Sequence, residues 1–125
     1  MKPYRFTLAA LLLSLAASQA AAATARKACF SARNVSNFAV VDDRTLNIRV
    51  GVRDVYQLDL MGICPDLGSS NKIAIKSRSS SFICSPLDAS IIAQGPFGRA
   101  ERCEVRGLRE LTPEEIAALP SHNRP

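Results

Sequence analysis

The sequence contains one histidine and no tryptophan among its 125 residues. Catalytic centres of the Ser/His/Asp and Cys/His types need an imidazole held in a fixed position, whereas His122 stands in a polar stretch that is predicted to be mobile. No phosphate-binding loop, dinucleotide fingerprint or nucleophile elbow occurs either. These absences predict a protein without enzymatic activity and without a cofactor.

The sequence also lacks closely spaced cysteines. Its four cysteines are Cys29, Cys64, Cys84 and Cys103, and no two of them form a C-x-x-C pair. Structural zinc sites and dithiol redox centres both use such pairs. We therefore expect neither a metal site nor thiol chemistry.

Charge is missing from the stretch Phe6 to Ala17, which consists mostly of leucine and alanine. Lys2 and Arg5 precede this run and small residues follow it up to Ala25. A basic start, a short apolar run and a small-residue site in this order predict a secretory signal peptide over residues 1–25. The run is too short for a membrane span, which needs roughly 20 residues. We expect a periplasmic or secreted protein with no membrane span after the signal is cleaved.

An even number of cysteines in a small exported domain predicts two disulfides. A domain of this size buries only part of its apolar surface on folding, so each crosslink matters for stability. Three pairings are possible. We favour Cys64 with Cys84, across a local β-loop-β unit, and Cys29 with Cys103, which would tie the first strand to the last.

Alternation of apolar and polar side chains predicts a mainly β fold. The clearest runs are 45–50 and 55–60, which read as a hairpin joined by a turn. Further strands are predicted over 35–41, 72–76, 81–84, 90–93 and 102–108. We expect a small antiparallel β-barrel or sandwich with roughly five to seven strands in one domain over residues 26–120, and an OB-like barrel is the most specific form of this prediction.

One short helix is signalled near the end of the sequence. Thr112 suits the N-cap, Pro113 the first helical position, and Glu115 the third position of a capping box. These residues predict a helix over 113–119. Residues 121–125 are expected to form a flexible tail.

Four side chains are predicted as partner contacts. Phe97 lies in a Gly- and Pro-rich loop, where an exposed aromatic ring would anchor a partner. The basic residues are Arg99, Arg49 and Arg53. The expected partner is a protein or an envelope polymer, since export and the low aromatic content of 6% disfavour nucleic acid.

Several short motifs resemble, in their order and spacing, a family of small exported proteobacterial proteins of unknown function. They are Cys29-Phe30-Ser31-Ala32-Arg33, Val55-Tyr56-Gln57-Leu58, Cys64-Pro65-Asp66-Leu67, Cys84, Cys103 and Leu111-Thr112-Pro113-Glu114-Glu115. The resemblance implies an exported four-cysteine domain and brings no activity or catalytic residues with it. Some family members look like lipoproteins, but here the charged Arg26 and Lys27 precede Cys29, which departs from a lipidation site.

Taken together, the sequence predicts a non-enzymatic binding or envelope-associated domain. The alternative is an inhibitor of an envelope hydrolase, because small disulfide-linked β-domains can act as rigid inhibitors. A rigid protruding loop with an exposed side chain would favour the inhibitor. A concave pocket with converging buried Asp and Arg groups would favour an enzyme.

Overall fold

The computed structural model describes residues 29–125, so the predicted signal peptide lies outside the described residues. This part of the chain forms eight strands and one α-helix, with short 3-10 turns between them. The strands are β1 Phe30–Ser31, β2 Val35–Val40, β3 Thr45–Val50, β4 Asp54–Leu60, β5 Ile73–Ser77, β6 Phe82–Ile83, β7 Ala89–Gln94 and β8 Ala100–Glu110. The helix α1 is Pro113–Ala118.

Six strands form one antiparallel sheet in the order β2-β3-β4-β8-β7-β5, and β1 pairs separately with β6. The long strand β8 links the two halves of this sheet, because its first half pairs with β7 and its second half with β4. The sheet curls into a half-barrel whose edge strands are β2 and β5. The predicted mainly β, antiparallel fold with one short helix and two disulfides is confirmed.

The hydrophobic core lies inside the curl. Alternate residues of the central strands point inward and are almost completely buried, and the largest are Leu46, Ile48, Leu58, Leu60, Ile91 and Val105. Burying one such side chain contributes roughly 1.5–3 kcal/mol. Phe30 of β1 packs on Tyr56 with ring centroids 4.9 Å apart, and Leu67, in the loop after β4, enters the core from another part of the chain.

The disulfides join Cys29 to Cys84 and Cys64 to Cys103. Two disulfides were predicted correctly, but the favoured pairing was wrong. Cys29 directly precedes β1, whose Phe30 pairs with Ile83, so Cys84 is its neighbour. The predicted β-loop-β unit between Cys64 and Cys84 is absent from the described chain, because the segment after β4 continues beside β8.

Strand β8 is longer than predicted. Asp59 pairs with Gly107 and Leu60 with Val105, so Arg106 is the extra residue of a β-bulge. A Cβ atom at Gly107 would lie 2.9 Å from the Asp59 carboxylate. The glycine therefore gives the Asp59 side chain room on the outer face of the sheet.

The last residues cover the outer face of β3. Asn47, fully buried on β3, donates from Nδ2 to the backbone oxygen of Asn123 at 2.9 Å. Arg49 donates from Nε to the oxygen of Pro125, also at 2.9 Å. A flexible tail was predicted over 121–125, whereas the structure shows a 3-10 turn at Ser121–Asn123 and a buried Pro125. The buried amide of Asn47 needs hydrogen-bond partners, and this segment supplies one of them.

Removing the capping hydroxyl of α1 should weaken the fold measurably. The Thr112 side chain accepts from the Glu115 N–H, and the Glu115 side chain accepts from the Thr112 N–H. We expect Thr112→Ala to lower the free energy of unfolding by about 1 kcal/mol in urea titrations. Ser79→Ala, at an exposed loop position, is the control and should change it by less than about 0.5 kcal/mol. Equal effects of the two substitutions would contradict the capping role.

Candidate functional site

The half-barrel is open between its two edge strands, β2 and β5, each of which is paired on one side only. The edge strands β2 and β5 enclose a groove of about 560 Å³ there, which we call the seam groove. Val35 and Phe38 line it from β2, and Ile73 and Ile75 line it from β5. All four side chains are half-buried and pack against the core. The groove therefore has apolar walls that are continuous with the interior.

Both edges of the seam groove present backbone groups that the sheet does not use. The Val41 N–H bonds to the Thr45 oxygen, and the alternation of an antiparallel ladder then directs the N–H and C=O of Phe38 away from β3. On β5 the Arg78 N–H bonds to the Asp88 oxygen. The same alternation then places the N–H and C=O groups of Ile73 and Ile75 on the side of the strand that faces away from β7. The groove is thus bordered on both sides by main-chain groups that the sheet leaves unused.

The two edges differ in how open they are. On β2 the Phe38 N–H bonds to the Asn37 side-chain oxygen at 2.9 Å, and the strand carries a bulge between Val35 and Asn37. A bulge is a common protection of an edge strand, and the Asn37 oxygen occupies a donor that an added strand would need. Strand β5 has a regular register, and no side chain of residues 29–125 bonds to the backbone of Ile73 or Ile75. β5 is the more accessible edge.

The Cys29–Cys84 disulfide fastens the two sides of the seam. β1 leads into β2, and β6 follows β5, so the pairing of β1 with β6 joins the segments that carry the edge strands. The Ala32 N–H adds a bond to the Ser81 oxygen at 3.1 Å. This crosslink is accessible because Cys29 is exposed, whereas Cys64 is fully buried and Cys103 is 8% exposed.

The two disulfides should therefore differ in their reduction. Because thiol attack requires access to the sulfur, we expect limiting dithiothreitol to reduce Cys29–Cys84 first. Alkylation with iodoacetamide followed by peptide mass spectrometry measures the order. Reduction of Cys64–Cys103 first, or of both bonds together, would contradict the placement of the two disulfides.

A second feature is the tight turn between β7 and β8, here called the Phe97 turn (residues 95–99). It is closed by bonds from the Gly95 N–H to the Arg99 oxygen and from the Gly98 N–H to the Gly95 oxygen, and Gly98 has a φ of 75°. Phe97 at its tip is 91% exposed. A cleft of about 410 Å³ is lined by the turn together with Pro65 and Asp66.

The Phe97 turn is held against the loop after β4. The Asp66 carboxylate lies so close to Gly95 that a Cβ atom there would be 2.6 Å from it. The Asp66 N–H bonds to Glu101 Oε2 at 3.2 Å. The loop after β4 therefore packs against the base of the turn at Gly95, while the tip of the turn carries the exposed ring of Phe97.

The four predicted contact residues do not form one surface. Phe97 and Arg99 share the Phe97 turn, but Arg53 lies in the turn between β3 and β4, which the strand register places at the opposite end of the sheet. Arg49 bonds to the oxygens of Pro125 and Val52. The sequence analysis did not identify the seam groove, because edge positions depend on the strand order.

One group of metal-type ligands lies close together in the described chain: Cys64, Glu101 and Cys103. Both sulfurs belong to a disulfide, and a disulfide sulfur lacks the thiolate charge that binds a metal. Glu101 Oε2 already accepts the Asp66 N–H. In this oxidised state the group is a structural crosslink beside a hydrogen-bonded carboxylate.

Two glutamates outside these features have shifted ionisation. A hydrogen bond from Arg78, with further contributions from the charges of Arg78 and Arg102, lowers the pKa of Glu104. The Thr112 N–H, followed by a hydrogen bond from Arg109, lowers the pKa of Glu115. The folded protein therefore stabilises the ionised form of both carboxyl groups.

Stability should consequently fall in acid. A carboxyl group whose pKa is lower in the folded state stabilises the protein above its ordinary pKa of 4.5 and loses this contribution as the pH falls below that value. We expect the melting temperature to decrease from about pH 5 to about pH 3. The double variant Glu104→Gln/Glu115→Gln should show a weaker decrease. An equal decrease in both proteins would contradict the assignment.

No helix among residues 29–125 is long and apolar enough to cross a membrane. Comparison with curated proteins and with solved structures gives no match. A family model matches the whole of residues 1–125, in agreement with the resemblance carried by the cysteine motifs. The chain belongs to DUF6491, a family of unknown function.

Proposed function

We propose that this chain is an exported, non-enzymatic binding domain that takes up an extended segment of a polypeptide in the seam groove. The observation that carries the proposal is the β5 edge of the groove, where the sheet leaves the N–H and C=O groups of Ile73 and Ile75 unused, opposite the unused C=O of Phe38 on β2. Exposed sheet edges bind a further strand through main-chain hydrogen bonds, and neighbouring pockets select its side chains.

The cysteines support export. Both disulfides are formed in the structure, and disulfides persist mainly in oxidising compartments. Together with the leader sequence, they favour the periplasm or the exterior as the location.

The groove chemistry supports binding rather than catalysis. Its lining has apolar and amide side chains, the ammonium of Lys72 and the hydroxyl of Ser36, which donates to the Gly51 oxygen at 3.1 Å, and no carboxylate, thiol or imidazole from residues 29–125. His122 is exposed on the turn that covers β3, away from the lining of the groove. A serine nucleophile requires an adjacent base that accepts its proton, whereas the Ser36 hydroxyl donates to a backbone oxygen.

A polypeptide fits the seam better than an envelope glycan does. The free N–H and C=O groups recur at every second residue of β5, which is the repeat with which another strand forms a ladder. Half-buried aliphatic side chains lie beside these groups and would cover alternate side chains of the added strand.

The test blocks the β5 edge. Proline at Ile75 removes an N–H that β7 does not use, and proline is tolerated at sheet edges. The immobilised protein is incubated with a pool of randomised, acetylated octapeptides, and the retained peptide is quantified by mass spectrometry. We expect Ile75→Pro to reduce retention by about tenfold, which corresponds to about 1.4 kcal/mol or one to two hydrogen bonds.

Ile75→Val is the matched control, because it keeps the N–H and shortens the side chain, and it should retain peptide like the unaltered protein. Ile73→Pro, at the first residue of β5, repeats the test if Ile75→Pro unfolds. Equal retention by the proline and valine variants would overturn the proposal. So would retention of soluble peptidoglycan fragments in place of peptides.

The Phe97 turn favours a second candidate, an inhibitor of an envelope hydrolase. A rigid turn that exposes 91% of an aromatic side chain is suited to fill an apolar pocket of a partner. We expect the protein to inhibit a protease or peptidoglycan hydrolase of a periplasmic extract, and Phe97→Ala to weaken this by about tenfold. Phe82→Ala, which truncates another exposed phenylalanine, should leave inhibition unchanged. Absence of inhibition would reject this candidate.

A further inference from the structure

The lining of the seam groove along β5 gives the length of strand that it contacts. On the β5 side the groove is lined by Lys72 and by Ile73, Ala74 and Ile75. Successive residues of paired strands rise by nearly the same distance, about 3.3 Å, so a strand laid along this lining faces it with three to four residues.

The accessible edge determines the direction of that strand. β5 lacks the bulge and the side-chain bond that protect β2, and antiparallel pairing is slightly more stable than parallel pairing. A strand that pairs antiparallel with β5 runs from the level of Ser77 towards Ile73. Its C-terminal end then arrives beside Lys72, which directly precedes β5.

The charge at this end of the groove is positive. Lys72 is the only charged residue in the groove lining, its side chain is exposed, and none of the ion pairs within residues 29–125 includes it. An ammonium group at the point where a chain ends attracts a carboxylate.

We infer that the occupant of the seam groove is the C-terminal strand of a polypeptide, three to four residues long, with its terminal carboxylate beside Lys72. This inference rests on the proposed function. Alternate residues of the occupant face the aliphatic walls and are apolar, and the intervening residues face solvent. The C-terminal carboxylate distinguishes this ligand from an internal extended segment.

The experiment compares two pools of randomised, acetylated tetrapeptides that differ only at the C-terminus, one as free acids and one as amides. The unaltered protein should retain the free acids about fivefold better, as expected for one exposed charge pair. Lys72→Ala should abolish this preference. Lys76→Ala removes an exposed ammonium from the same strand, outside the groove lining, and should preserve the preference. Added salt should reduce the preference in the unaltered protein.

The outcomes separate the two levels of the proposal. Equal retention of acids and amides, or equal effects of Lys72→Ala and Lys76→Ala, would overturn the C-terminal assignment while strand addition stands. Retained amides enriched in aspartate or glutamate would assign the carboxylate to a side chain and would also overturn it. The proposed function itself fails if neither peptide pool is retained and the backbone N–H groups of Ile73 and Ile75 are not protected from hydrogen exchange when peptide is added.

Discussion

Replacing Cys64 and Cys103 together by alanine is expected to lower the free energy of unfolding by about 4 kcal/mol, because their bond restricts an unfolded chain across a separation of 39 residues. Small domains have a total stability of about 5–15 kcal/mol. The melting temperature should therefore fall by roughly 20 °C, which calorimetry would show. The buried position of Cys64 adds to the loss, since alanine leaves a cavity in the core.

The control for this variant is Ser79→Ala, at an exposed loop position, which should leave the melting temperature almost unchanged. A loss below about 1 kcal/mol in the double variant would contradict the role of this crosslink, because the loop-closure contribution alone exceeds that value.

Replacing Asn47 by alanine is expected to cost about 2 kcal/mol. The Asn47 amide donates to the Asn123 oxygen at 2.9 Å and accepts from Gln57 Nε2 at 3.2 Å. The substitution leaves the Asn123 oxygen and Gln57 Nε2 without their bonds to Asn47, in a part of the sheet that residues 121–125 cover. Unsatisfied buried polar groups cost about 1–3 kcal/mol each. Urea denaturation measures the loss, and amide hydrogen exchange should show residues 121–125 opening more often.

Asn37→Ala is the matched control, since Asn37 is exposed on the neighbouring strand and bonds only to the adjacent Phe38 N–H. A cost below about 0.5 kcal/mol for Asn47→Ala, with unchanged exchange in residues 121–125, would show that the last residues do not hold β3.

The sequence pattern predicted strands β3 and β4 and helix α1, whose structure depends on residues close together in the chain. The alternation in β3 and β4 was sufficient to predict both strands, because the inward-facing side chains are buried, from Leu46 in β3 to Leu60 in β4. The capping box of α1 was also predicted correctly, since Thr112 and Glu115 satisfy each other within one turn.

The features that depend on distant neighbours were missed. The disulfide pairing follows from β1 pairing with β6, and neither of these two-residue strands has a periodic signal of its own. Asn47 stands at a polar position of the alternation in β3, and this outward position gave no sign that residues 121–125 would cover it. The seam groove exists because β2 and β5, which are separated by much of the chain, become the two edges of one sheet.

The Cys29–Cys84 disulfide links the stability of the fold to the proposed site. It connects the segments that lead into β2 and out of β5, so it limits how far the two edges can separate. The Phe97 turn and the Cys64–Cys103 bond lie beside the loop after β4, apart from the groove. Substitutions at Phe97 should therefore leave peptide retention in the groove unchanged.

Amide hydrogen exchange at Ile73 and Ile75 tests most directly whether β5 is an open edge that accepts a strand. In the free protein both N–H groups should exchange quickly, while that of Ala74, which bonds to β7, is protected. Addition of the free-acid peptide pool should protect Ile73 and Ile75. Protection of these two groups in the free protein, or unchanged fast exchange in the presence of retained peptide, would contradict strand binding at the seam.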